Sequence, residues 1–262
     1  MKLVCDRGNT PMRPRIFIPI VCLLTTLQAT AQDDEHLEAD RPSESQSAQT
    51  VDRHAFQIEL GLRREVADPE TVDYFEPRTV LRYGLLEGFE LRAEVQPLTE
   101  RHRDGGRTET GLRPIELGFK AGLWKGKGLL PEAALYTQVG IPKFASEAFR
   151  PTYAEPRIRL LLENEINQQW RLNYNIGAEW SGEDTKPQWL YTLSPEVTLG
   201  KHWEAFAEVY GFVQGGALPE HSVDAGLSYF IGKKGKVDLS TGAGLTSAAP
   251  VNFVALGFSV KL

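Results

Sequence analysis

Cysteine is almost missing from this chain: there are two among 262 residues, Cys5 and Cys22. Both fall in a leader-like first segment, so the chain behind it has no thiol for a disulfide or a thiolate metal site. The five histidines, His36, His54, His102, His202 and His221, show no metal-ligand spacing. No Ser and His are placed to converge as a nucleophile and its base. The turn glycines Gly126, Gly128, Gly215 and Gly216 precede no helix, as a phosphate loop would require. No cofactor and no enzyme are expected. Long apolar runs are missing as well: nowhere do about 18 apolar residues follow one another, which excludes a helical membrane span. Bases are outnumbered, 29 Lys and Arg against 35 Asp and Glu, so a nucleic-acid partner is not expected. A mean hydropathy of −0.31 still permits a membrane protein, because a barrel strand shows lipid only every second residue.

What is present begins with an address. Arg13 and Arg15 precede the apolar stretch 16–27, and Ala29, Thr30 and Ala31 offer a small-x-small cleavage site, so residues 1–31 read as a signal peptide. Met12 is an alternative start. Cys22 as a lipid anchor is the other reading, although it follows Val21, where lipidation favours a small residue. Removing residues 1–31 takes away four bases and one acid, which moves the formal charge from −6 to −9. Residues 32–53 are acidic, Ser-rich and poor in apolar groups, and are expected to form a flexible periplasmic lead-in. The alternative is a segment that enters the periplasmic mouth of a barrel.

From Phe56 onward the chain alternates. Trp170, Leu172, Tyr174, Ile176, Ala178 and Trp180 share one face of a run, and Arg171, Asn173, Asn175, Gly177 and Glu179 share the other. A period of two kept over eleven residues predicts a strand. Twelve such runs are found, near 54–65, 77–84, 87–97, 112–124, 129–140, 154–164, 168–180, 187–200, 202–213, 219–231, 235–245 and 250–262. Most approach the length a tilted strand needs to cross a bilayer. Connections after even runs are short and polar, and most of those after odd runs are longer. An all-β, up-and-down antiparallel barrel of about 12 transmembrane strands over 54–262 is therefore expected, with short periplasmic turns and longer extracellular loops. Trp170, Trp180, Trp189 and Trp203 lie near strand ends, where interfacial rings belong. The last run ends on Val254, Leu256, Phe258, Val260 and Leu262 at alternate places, a pattern suited to capture by barrel-assembly machinery.

The inward faces are charged. Lumen candidates are Arg82, Glu90, Arg92, Glu94, Lys120, Glu132, Arg157, Arg159, Glu163, Arg171, Glu196, Glu204, Glu208, Asp224 and Asp238. Folding the short turns pairs Arg82 with Glu90, Arg78 with Glu94, Lys120 with Glu132 and Glu163 with Arg171. Runs 8–11 read as holding inward acids and hydroxyls with no base, which predicts a negative wall and a modest cation preference carried by Glu196, Glu204 and Glu208.

Three passages carry a resemblance. Asp40, Arg41, Pro42, Ser43, Glu44 and Ser45 lead into Phe56–Gly61; Val80 to Leu85 are followed by Phe89, Glu90, Leu91 and Arg92; and Phe253 to Ser259 close the chain. Over roughly residues 40–262 the chain resembles the transporter family of the MetA-pathway of phenol degradation, from Gram-negative outer membranes. The resemblance implies a barrel in the cell outer membrane and uptake of aromatic or hydrophobic compounds. Passive uptake of a small-molecule permeant is thus the expected function, with outer-membrane lipid and lipopolysaccharide as surroundings. A structural or adhesive barrel with binding loops is the alternative.

Overall fold

The computed structural model describes residues 36–68, 72–102 and 106–262. The expected signal peptide therefore lies outside the described residues, as do 32–35 of the expected lead-in.

Alternation becomes strand throughout. The strands are β1 (Phe56–Asp68), β2 (Val72–Leu86), β3 (Phe89–Val95 and Pro97–His102), β4 (Thr108–Leu112 and Ile115–Trp124), β5 (Glu132–Ile141) and β6 (Glu155–Glu165). They continue with β7 (Trp170–Glu179), β8 (Gln188–Leu199), β9 (Trp203–Gln214), β10 (Glu220–Ile231), β11 (Gly235–Gly244) and β12 (Asn252–Lys261). Each is antiparallel to its chain neighbours, and β12 returns to β1 in a register running from Gln57 opposite Lys261 to Val66 opposite Asn252. The sheet closes into a barrel of twelve strands through β1 and β12; the Thr108–Leu112 half of β4 has no strand on its far side, and Leu112 bonds to Ser146 of the following loop there. β3 and β4 are each broken once because Pro97 and Pro114 bring no N–H to the ladder. The breaks face one another, and Arg113 N still donates to Gln96 O at 3.0 Å.

Several boundaries differ from expectation: β3 runs to His102, not 97, and β4 begins at Thr108, not 112, so the loop expected over 98–111 shrinks to 103–107. β2 begins at Val72, not 77, so the connection expected over 66–76 shrinks to 69–71. Pro77 interrupts the pattern there, but Phe75 opposes Thr99 and Thr79 opposes Val95, so Pro77 faces the break in β3, where no N–H is needed. β5 begins at Glu132, not 129, and Leu129 stands 99% exposed in a seven-residue turn. The turns after β2, β6, β8 and β10 are short, whereas 142–154 after β5 is the longest connection and carries two 3-10 turns, Pro142–Phe144 and Glu147–Phe149.

The barrel is inverted relative to a soluble core. Ile176 is 55% exposed on the outer face, and Leu60, Leu193, Leu239, Val254 and Leu256 are exposed beside it. Inside, Asn175, Glu90 and Lys120 are fully buried. Apolar groups outside and charges inside are stable only when lipid, not water, wets the exterior. Aromatic rings mark both rims. Trp124, Trp170, Trp203 and Tyr229 lie at the short-turn end, with Trp203 and Tyr229 packed edge to face at 4.8 Å, and Trp180, Trp189 and Tyr191 lie at the long-loop end.

Candidate functional site

Of residues 36–53, expected as a flexible lead-in, 36–51 are folded inside the barrel, and Asp52 and Arg53 stand exposed at its short-turn rim. The physical reason is charge: these acids have bases to meet on the wall. His36 stacks on Phe230 at 4.4 Å and approaches Gly232 O, which places it at the short-turn mouth. The segment climbs to Glu44, Ser45 and Gln46 at mid-height and returns to β1. At its apex the amides of Glu44 and Ser45 each donate to the Glu208 carboxylate at 2.7 Å. Ser45 Oγ meets Thr192 Oγ1 at 2.6 Å, and Gln46 exchanges two hydrogen bonds with Asn175. On the return, Ala48 N and Gln49 Nε2 donate to Glu163, and Val51 N donates to Glu90 at 2.7 Å. A bent segment with no regular secondary structure has its backbone groups satisfied by wall side chains instead.

Electrostatics seat the ascending limb. Asp40 lies against Lys120 Nζ at 2.8 Å, Arg92 Nη1 at 2.6 Å and Arg82 Nη1 at 3.7 Å. Arg82 also meets Glu59 and Glu90 at 2.8 Å each, and Arg92 meets Glu90 at 2.7 Å. The wall alone therefore offers three bases against two acids, and Asp40 makes the cluster neutral. Lys120 further donates to the carbonyls of Ser47 and Gln49. Glu38 pairs with Arg171, which also holds Glu196 at 2.9 Å and Glu204 at 3.0 Å. Arg159 reaches Glu44 at 2.8 Å, and Arg41 Nη2 reaches Asp238 at 3.1 Å.

Burial works against an ionised Asp40, but the cations of Arg82, Lys120 and Arg92 outweigh it and hold its carboxyl far below the usual range. A carboxyl depressed in the seated state stabilises that state above its free value of about 3.9, and the effect fades only as pH falls through the depressed value. The difference in protease protection of residues 36–52 between the parent and Asp40→Ala is thus expected to be the same at pH 7 and at pH 4. A difference that vanishes on going to pH 4 would show that the Asp40 contacts do not hold the segment.

Above the segment the lumen widens into a vestibule of about 330 Å³ that reaches the long-loop end and is floored by Asp40–Gln46. Arg78–Glu94, at 2.6 Å, and Arg157, bridging Glu116 at 3.2 Å and Glu179 at 3.1 Å, line its wall. Tyr136 stands between Arg92 and Arg159, whose guanidinium carbons lie 5.2 and 6.0 Å from its ring centre.

Of the expected pairs, Arg82–Glu90 and Arg78–Glu94 form. Lys120–Glu132 does not: the longer turn 125–131 sets Lys120 opposite Tyr136, and Glu132 pairs with Lys125 at the rim. Glu163 spends its oxygens on the segment instead of forming an ion pair with Arg171. The wall of β8–β11 is not free of bases either. Lys236 shares the inward face with Asp238, is 3% exposed and donates to Arg41 O at 2.7 Å. Asp224 faces inward opposite Glu208. The plug residues themselves were not expected as site residues. Their one signal was Asp40-Arg41-Pro42, polar and charged immediately before a barrel whose first strands carry several inward bases.

Solved structures share this architecture. An outer-membrane channel from Pseudomonas putida F1 superposes with a TM-score of 0.64 at 8% identity, covering 82% of this chain and 98% of that one. The NanC porin gives 0.55 at 10% identity (79% and 100% covered), and the KdgM porin 0.54 at 11% (78% and 98%). No curated protein matches the chain. The family described as "MetA-pathway of phenol degradation" matches residues 39–262, from the plug to the last residue of the barrel, and the chain belongs to that family.

Proposed function

We propose that the protein is an outer-membrane channel for passive uptake of small solutes, closed at rest by its own residues 36–51. The observation that carries this reading is a closed, lipid-suited barrel whose charged lumen opens as a vestibule at one end and is filled at the other. The vestibule lining supports polar permeants. It is lined by nine carboxylates, seven guanidinium groups and only a few rings, among them Tyr136, Tyr210 and Phe253. A hydrocarbon there would strip water from ion pairs without replacing its hydrogen bonds. An aromatic solute bearing a hydroxyl or carboxylate suits both surfaces.

The surplus of carboxylates supports a modest cation preference, now assigned to the vestibule. Glu196, Glu204 and Glu208 are engaged by Arg171 and the plug and do not line the vestibule, which favours the vestibule carboxylates over them. The test is swelling of liposomes that hold the refolded protein, with reversal potentials in a KCl gradient. Uptake of small amino acids or phenols and a small cation-selective potential are expected. No flux of any small solute through barrels shown to be folded would favour the structural or adhesive reading, which the filled lumen supports.

A further inference from the structure

Two cavities meet the plug from opposite sides. The vestibule lies above it, and a void of about 10 Å³ lies below, lined by Glu38, Arg171, Glu204, Ser228 and Lys236. Arg41, Pro42 and Ser43 border both. At this level the lumen is asymmetric. On one side Arg82, Arg92, Lys120 and Tyr136 crowd inward; on the other, Ser240, Ala255 and Ser259 face in beside Gly61 and Gly257, which pair in register across the β1–β12 seam. The space that a Cβ atom would occupy is filled by the Arg41 guanidinium at Gly61, and by Arg41 together with its partner carboxylate Asp238 at Gly257. Arg41 is also lightly fastened. It holds Asp238 through Nη2, while its Nε has no hydrogen-bond partner. Asp40, by contrast, meets three cations, and Glu44 and Ser45 are bound through backbone amides.

We infer that solute passes along the small-residue wall formed by β1, β11 and β12, and that the Arg41 side chain is the gate on that path, latched by Asp238. The inference rests on the channel reading and sharpens it: a side chain swings, and the plug stays anchored at Asp40 and at Glu44–Ser45. Rotation of one arginine away from Gly61 and Gly257 would join the vestibule to the lower void.

The test uses the refolded mature chain in planar bilayers, where the lack of native cysteine makes a thiol label specific. Ser228→Cys lies below the gate and Ala255→Cys above it. A small charged thiol reagent added at the long-loop side is expected to react with A255C in any background. It should react with S228C only when Arg41→Ala is also present, and R41A should raise mean current several-fold. The double variant R41A/D238N removes both charges of the latch and should behave the same, which guards against a folding defect from an orphaned Asp238. Equal labelling of S228C with and without Arg41, or wild-type currents unchanged in both gate variants, would overturn the gate and leave the channel standing. Silence of the wild type and of every variant, with folding confirmed by heat-modifiable mobility, would overturn the channel reading together with the gate.

Discussion

Asp40→Ala is expected to unseat the N-terminal segment. Asp40 is 7% exposed, and the bases it faces, Arg82, Arg92 and Lys120, are at most 1% exposed. Without it, Glu59 and Glu90 are left to balance three buried cations. Breaking a buried charge cluster from one side costs about 3–5 kcal/mol. That shifts the seated-to-released ratio by about a hundredfold or more, because release lets water reach the bases while the barrel persists. Cleavage at Glu44 by a glutamate-specific protease in detergent reads the release, and sustained ionic current reads its consequence. Protection and current equal to those of the parent would mean that the backbone contacts at Glu208, Asn175 and Glu163 suffice to hold the plug.

Register gives the second large effect. Tyr174 and Ile176 face outward near the middle of β7, whereas Asn175 between them faces the plug. Arg at 174 or 176 should cost roughly 2–4 kcal/mol of barrel stability near the bilayer midplane. Asn175→Ala should cost the barrel much less, since it removes hydrogen bonds to Gln46 and none to lipid-facing groups. Urea titration of the protein in lipid vesicles, followed by heat-modifiable mobility, measures the difference. Similar losses for Ile176→Arg and Asn175→Ala would show that the outer face does not meet hydrocarbon. An arginine at Asn173 is no suitable control, because that side chain is 1% exposed and the lumen around it is full.

The barrel was readable from alternation because a period of two is a local property: each residue states its own face. Twelve runs and twelve strands agree for that reason, and errors cluster where local chemistry misleads. Pro77 weakened a strand signal that its place opposite a break made harmless. Leu129 and Leu130 extended an apolar pattern into what is a turn. The inward charges were legible for the same reason, but their partners were not. Whether Lys120 meets Glu132 or Asp40 depends on turn length and on a segment 80 residues away. Residues 36–53 carry the compositional mark of disorder, few apolar groups and many charges, and that mark says only that the segment cannot build a core of its own. Here the wall supplies what such a segment needs, and composition cannot report it.

The three-against-three arrangement around Asp40 also constrains how the family can diverge. Asp40, Arg82, Arg92 and Lys120 are scattered over 80 positions, yet charge neutrality is a property of all of them with Glu59 and Glu90, and none can drift alone. Gly61 is bound in the same way: a side chain there takes the space of the Arg41 guanidinium, so the arginine must swing out of its place or be lost. Inheritance should therefore treat plug and wall as one linked trait, with paired replacements between residues 38–51 and the inward faces of β1–β4, β6–β9 and β11, while the lipid-facing residues between them exchange freely among apolar types.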